Sequence, residues 1–200
     1  EAEEEETAER NISLVSCDNA GALLERVKGA DVYFYPLIID GSVTDLYFAF
    51  DNEIVVISPE TQGYKDFICE FFEDESAKKY SFNTKELHRL ACKLGVELKG
   101  VKGDLMLSAY LLRPSDSNYD ISHLCLEYGV KIPEFLNSLG TKDENVELAS
   151  VIKPLFEKTL SNIIEVKARG ADIVALTAES KAADMRKTAE NVLSVPDTHV

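Results

Sequence analysis

The chain of 200 residues has no tryptophan, two methionines and three histidines, and its 36 acidic residues outnumber its 21 basic ones. Each shortage excludes something. A formal net charge of −15 argues against a dominant nucleic-acid surface, because affinity for a polyanion rests largely on Lys and Arg. Cys17, Cys69, Cys92 and Cys125 are far apart with no C-x-x-C pair. A zinc ribbon or disulfide framework is therefore not expected, and the four read as free, mostly buried thiols. The histidines are scattered too. His88 reads as a helix-surface residue and His199 as part of a frayed tail. His123 has no carboxylate–histidine pattern near it beyond Asp120, which reads as a helix N-cap. No apolar run approaches the ~18 residues of a membrane span. The N-terminus, EAEEEETAER, lacks the basic and apolar regions of a signal peptide, so a cytoplasmic protein is the expectation.

What remains is an ordinary globular content, 45% hydrophobic, enough for one domain or one domain with an appendage. Residues 1–10 are a run of like charge and read as a disordered acidic linker. Residues 11–15 are a strand candidate, followed by a helix capped by Asp18 or Asn19 and closed by Gly29. Residues 31–39, DVYFYPLII, are nearly all apolar or aromatic and read as a buried strand; Pro36 cannot donate to a ladder and predicts a bulge or an open side. Turns at Asp40-Gly41 and Asp51-Asn52 separate further strands at 43–50 and 53–58, an antiparallel meander. Phe67, Ile68, Phe71 and Phe72 then recur at the spacing of an amphipathic helix.

The most informative run is 78–114. A strand at 80–82 leads into a helix opened by Asn83 and Thr84 and stopped by Gly95. A strand at 96–98 follows, and Asp104 opens the helix MLSAYLL, which stops at Pro114. This is a βαβα unit, so helices are expected on a sheet. Beyond it, a short helix is expected around Ile121, Leu124 and Leu126, and another over 133–139. A long helix over 143–167 should kink at Pro154 and end at Gly170. An alanine-rich helix over 178–193 precedes a tail from Pro196.

The motifs Asn83-Thr84-Lys85-Glu86-Leu87, Gly95-Val96-Glu97-Leu98-Lys99-Gly100-Val101 and Asp104-Leu105-Met106-Leu107 with Tyr110-Leu111-Leu112 resemble the 3′–5′ exonuclease domain of bacterial DNA polymerase I (family A). The resemblance extends over about residues 12–167. It implies an α/β ribonuclease H-like fold: a mixed sheet of three antiparallel strands followed by βαβα, flanked by helices. It implies an exonuclease-like domain at 11–169, and a C-terminal helix and tail at 170–200 in the place where a polymerase would continue into its thumb.

The resemblance also implies a chemistry. The intact family site binds two Mg²⁺ or Mn²⁺ through four carboxylates: an Asp-x-Glu on the first strand, an Asp on the next helix and an Asp on the last. Residues two apart on a strand share a face, which is why the spacing serves one metal cluster. Here Tyr33 and Tyr35 stand in the strand positions and Leu87 in the helix position. A tyrosine with its ordinary pKa near 10 is a poor Mg²⁺ ligand. Asp143, Glu144 or Glu147 could imitate the last ligand alone, and Asp104 reads as an N-cap rather than a ligand.

No catalytic or metal-binding residue and no cofactor is therefore expected. The reading is a degenerate, inactive exonuclease domain, a form that some bacterial polymerases of this family carry. It would support the polymerase domains of its parent chain, reach DNA through that parent with at most weak contact of its own, and be monomeric, with no membrane role. Two alternatives stand beside it: an active exonuclease rebuilt on Asp40, Asp45, Asp104 and Glu144, and a free-standing protein-interaction scaffold.

Overall fold

The computed structural model describes residues 12–137, 140–168, 174–178 and 191–195. The chain divides into two compact units, Glu1–Thr159 and Leu160–Val200. The acidic run at 1–10 lies outside the described residues.

The first unit is built on a six-stranded mixed sheet. Its strands are β1 (Ser13–Ser16), β2 (Asp31–Ile39), β3 (Ser42–Phe50), β4 (Glu53–Ile57), β5 (Lys78–Ser81) and β6 (Val101–Asp104), in the spatial order β1-β4-β3-β2-β5-β6. β2, β3 and β4 form the antiparallel meander. β5 and β6 extend it in parallel on one side, and β1 pairs in parallel with β4 on the other. The helices are α1 (Ala20–Val27), α2 (Tyr64–Glu73), α3 (Thr84–Leu94), α4 (Leu105–Leu112), α5 (Ile121–Tyr128) and α6 (Glu144–Ala168). Pro36 sits where the β2–β3 register shifts, so the bulge falls at the residue that cannot donate.

Alternation along β2 and β3 sorts the core into layers. Val32 and Phe34, with Leu46 and Phe48, join α1, α2 and α3 in one cluster. There the Phe48 ring meets Phe34, Phe67 and Phe71 at 5.3–5.7 Å between centroids, within the range in which aromatic pairs add to plain burial. Tyr33 and Tyr35 point the other way and pack against a second cluster made by α4, α5 and α6. Tyr47 on β3 packs with Val146 and Ala149 of α6.

The structure corrects the sequence reading in three places. Residues 96–98 are not a strand; the strand begins at Val101. Leu98 is buried in the core without a ladder, and Gly100, at φ +69°, makes the turn into β6. A Cβ there would lie 2.5 Å from the Ala77 carbonyl oxygen, so the glycine is required. The helix expected over 133–139 is absent from its described part. Residues 133–137 are irregular, held by the Leu136–Lys142 bridge and by the Phe135 N–H donating to Glu147; 138 and 139 lie outside the described residues. The helix expected over 178–193 overlaps two strands, β7 (Val174–Ala178) and β8 (Asn191–Val195), which pair in parallel within the second unit. The sequence NVLSV is rich in β-branched residues, which suit a strand better than a helix. Residues 179–190 lie outside the described residues, as does Gly170.

Candidate functional site

Tyr33 and Tyr35 stand two apart on β2 and share a face, as the spacing requires. What surrounds them is aromatic. Tyr33 stacks on Tyr80 of β5 at 4.8 Å, and Phe156 of α6 closes on both, at 6.1 Å from Tyr33 and 5.5 Å from Tyr80. Tyr35 lies beside Tyr47, centroids 6.4 Å apart. Burial raises the pKa of Tyr33, and the neighbouring Tyr80, Asp31 and Glu157 add to it. Burial also raises Tyr35, with a contribution from Glu144. Tyr47 is pushed up to about 12, again mainly by burial, although the Asn145 side chain hydrogen-bonds to it. These phenols stay protonated at neutral pH, so none offers a metal the anionic oxygen it needs.

Leu87 is elsewhere. It is fully buried in the cluster on the opposite face of β2, with Val32 and Phe34. The three positions that the resemblance equates with carboxylates are thus not gathered in one pocket.

Three of the candidate acids, Asp104, Asp143 and Glu147, are occupied structurally. Asp104 is the N-cap of α4: Oδ1 accepts from the Leu107 N–H at 3.1 Å. Its Oδ2 accepts from the Thr84 N–H and hydroxyl at 2.7 Å each, which ties the start of α3 to the start of α4. Asp143 accepts from the N–H groups of Asn145 and Val146 at the start of α6. Glu147 is 3% exposed, accepts from the Phe135 N–H and pairs with Lys142 at 3.2 Å. Asp40 is an exposed turn residue at φ 50°. Asp45 lies near Tyr47 and Tyr64, and Tyr64 too is raised to about 12, mainly by burial. Asp40, Asp45, Asp104 and Glu144 do not assemble: among the described residues the one group of three potential ligands that could hold an ion is Asp116, His123 and Glu127. The residues present at the sheet face therefore do not fit a two-metal centre, whose ions need several converging carboxylates.

The sequence reading missed that Asp116 group. The signal was there, since His123 and Glu127 are four apart on α5 and so share a helix face. Two small pockets, of about 210 and 200 Å³, lie away from Tyr33, Tyr35 and Leu87. One is lined by α1 and α2 residues including Asn19, Asp66 and Glu70, the other by Asp51, Asn52, Lys153 and Glu157 among others. No helix among the described residues is long and apolar enough to cross a membrane.

Sheet order, helix placement and the βαβα unit define a ribonuclease H-like exonuclease fold. Residues 40–137, just short of half the chain, match the family described as DNA polymerase I, ribonuclease H-like domain. That match takes in Leu87 and Asp104 but neither β2 nor α6, so it does not reach Tyr33 and Tyr35. DNA polymerase I of Bacillus subtilis (strain 168) is 30% identical over 76 residues, 38% of this chain and 8% of that protein. Among solved structures, the POL domain of Pol1 from M. smegmatis, in complex with DNA primer-template and dNTP, superposes with a TM-score of 0.60. It is 19% identical over 77% of this chain and 28% of that one. A glutamine–fructose-6-phosphate aminotransferase of Thermus thermophilus is 46% identical over 46 residues, 23% of this chain and 8% of that enzyme. The chain thus spans less than a tenth of the length of these curated relatives.

Proposed function

We propose that this is a catalytically inactive 3′–5′ exonuclease-like domain of a family A DNA polymerase that works in replication and repair in the cytoplasm. It supports the polymerase module of the same parent chain and makes at most weak contact with DNA. The observation that carries the reading is the Tyr33–Tyr80–Phe156 aromatic block, which surrounds a position where the resemblance would place a carboxylate. Phenols held neutral by burial cannot neutralise divalent ions. The net charge of −15 supports a minor role in DNA binding. Support of a neighbouring module needs a surface to pack on, and α4 offers one: Leu107, Tyr110 and Leu111 are 55%, 47% and 72% exposed.

The deciding experiment is a nuclease assay on 3′-ended single- and double-stranded DNA with Mg²⁺ or Mn²⁺. The expected result is no metal-dependent shortening above a heat-treated control. Degradation that needs the metal and disappears on changing one carboxylate, for instance Asp45→Asn or Glu144→Gln, overturns the proposal and revives the rebuilt-site alternative.

A further inference from the structure

We propose that the second unit, Leu160–Val200, is a self-association module in which the open edge of β8 pairs with the β8 of a second copy of this chain. A monomer is the expectation from the sequence, and the sheet points the other way. The proposal does not depend on whether the first unit hydrolyses DNA. The basis is an unfinished sheet. β7 and β8 pair in parallel along their whole length, from Val174 with Asn191 to Ala178 with Val195. Among the described residues neither strand has a further partner.

Such a sheet falls short of what stability requires. A lone strand pair is marginal in water, and parallel sheets occur with both faces covered. A unit of about 40 residues usually needs disulfides, a metal or oligomerisation to hold its fold. Residues 160–200 contain no cysteine and one histidine, His199, which leaves oligomerisation. The stretch shared with the aminotransferase has the same implication. Beside the polymerase-family match at 40–137, only 138–200 has room for its 46 residues, and any stretch of that length there includes β7. Taken as separate matches, the two make the second unit a small piece of a larger architecture rather than the end of the exonuclease fold.

A second copy is the occupant because the edge is uncharged and matches itself. β7 reads VALTA and β8 NVLSV, with no charged residue in either, in a chain of net charge −15. Two copies of so acidic a chain repel one another, and they approach most easily along an edge that carries no charge. Joining two copies edge to edge doubles the two-stranded sheet to four strands, and a two-fold axis makes the contact the same on both sides. β8 is favoured over β7 because Val192, Leu193 and Val195 suit a strand better than the two alanines of β7. An antiparallel two-fold pairing sets Leu193 opposite its own copy and Val192 opposite Ser194. Leu160 and Ile164, about one turn apart on the part of α6 within this unit, are 58% and 60% exposed. The unit thus carries further apolar surface that association can bury.

The test measures the mass of the whole chain by sedimentation and light scattering from about 1 μM to about 1 mM, the range of a weak to moderate homodimer. A monomer–dimer equilibrium is expected. Leu193→Lys and Leu193→Glu each set like charges opposite one another at the two-fold axis and should each weaken association by about tenfold or more. An equimolar mixture of the two variants should restore it, because lysine then faces glutamate. Amide hydrogen exchange at 191–195 of the parent should slow from the dilute to the concentrated end, a readout that needs no variant. Three results would each overturn the proposal: a chain that stays monomeric throughout, a mixture of the two variants that stays monomeric, or association untouched by both substitutions, which would place it on another surface such as the apolar face of α4. If a variant aggregates, hydrogen exchange decides, and unchanged rates at 191–195 overturn the edge.

Discussion

The Tyr33 ring lies on the Tyr80 ring, centroids 4.8 Å apart and planes 14° from parallel, across the direct register pair that joins β2 to β5. The next strand continues the row: Tyr80 is in register with Gly103 of β6. Phe156 of α6 fills the space above that glycine, since a Cβ on Gly103 would lie 2.6 Å from Phe156 Cε1 and 3.1 Å from Tyr80 Cδ1. Tyr33, Tyr80, Gly103 and Phe156 are therefore one packing unit across three strands and a helix. Such a unit presents rings rather than anions beside Tyr33, which is what the proposed loss of catalysis draws on.

Gly103→Ala should destabilise the protein by about 1–3 kcal/mol, because the added methyl must displace an aromatic ring in a close-packed layer. Phe156→Leu removes the ring edge that the methyl would strike. The double variant should therefore lose less than the sum of the single losses, with a coupling of about 1 kcal/mol or more. Urea unfolding of the four proteins measures this. Additive losses would mean that Phe156 does not rest on Gly103.

Asp104 separates a structural carboxylate from a metal ligand. Its two oxygens take three hydrogen bonds, from Thr84 twice and from Leu107. Asp104→Ala should cost about 1–2 kcal/mol, the scale of a lost N-cap with an added tertiary bond. Added Mg²⁺ should leave the midpoint difference between parent and variant unchanged. A difference that grows with Mg²⁺ concentration would mean that the carboxylate binds the ion in the folded state.

The contrast between these residues shows what could be read in advance. Asp104 and Asp120 were legible as caps because capping is local: an acid before an apolar helical run satisfies donors two or three residues on. The β2–β4 meander and the Pro36 bulge were legible for the same reason, through alternation and turn chemistry. Placing Leu87 on the far side of β2 from Tyr33 was not, because a helix's contact face depends on which side of the sheet the chain crosses. The strand assigned at 96–98 failed because Leu98 is buried by tertiary contact rather than by a ladder. The Asp116, His123 and Glu127 group needed the turn after α4 to fold back, which no spacing encodes.

Lys79 gives the protein a pH dependence that can be signed. It is 1% exposed, and its ammonium donates to the carbonyl oxygens of Asp74 at 2.6 Å and Ala77 at 3.1 Å, with Nζ 4.8 Å from the Phe71 ring centre. Burial lowers its pKa from 10.5 to about 8, and the Asp74 charge opposes only part of that. The unfolded chain then holds the proton more tightly than the folded one. Below pH 8 both states are charged and the burial penalty is complete. As pH rises from 8 toward 10.5 the folded state releases its proton first, so the penalty shrinks and stability rises. Cys125, raised to about 11, and Tyr47 and Tyr64, raised to about 12, act in the opposite sense above pH 9 to 10, because the unfolded chain ionises them first. Subtracting a Lys79→Met variant removes these shared contributions. The parent-minus-variant difference in unfolding free energy should increase by about 1 kcal/mol between pH 8 and pH 9. Denaturant titrations at both pH values read it directly, and a flat or falling difference would show that Lys79 keeps an ordinary proton affinity in the fold.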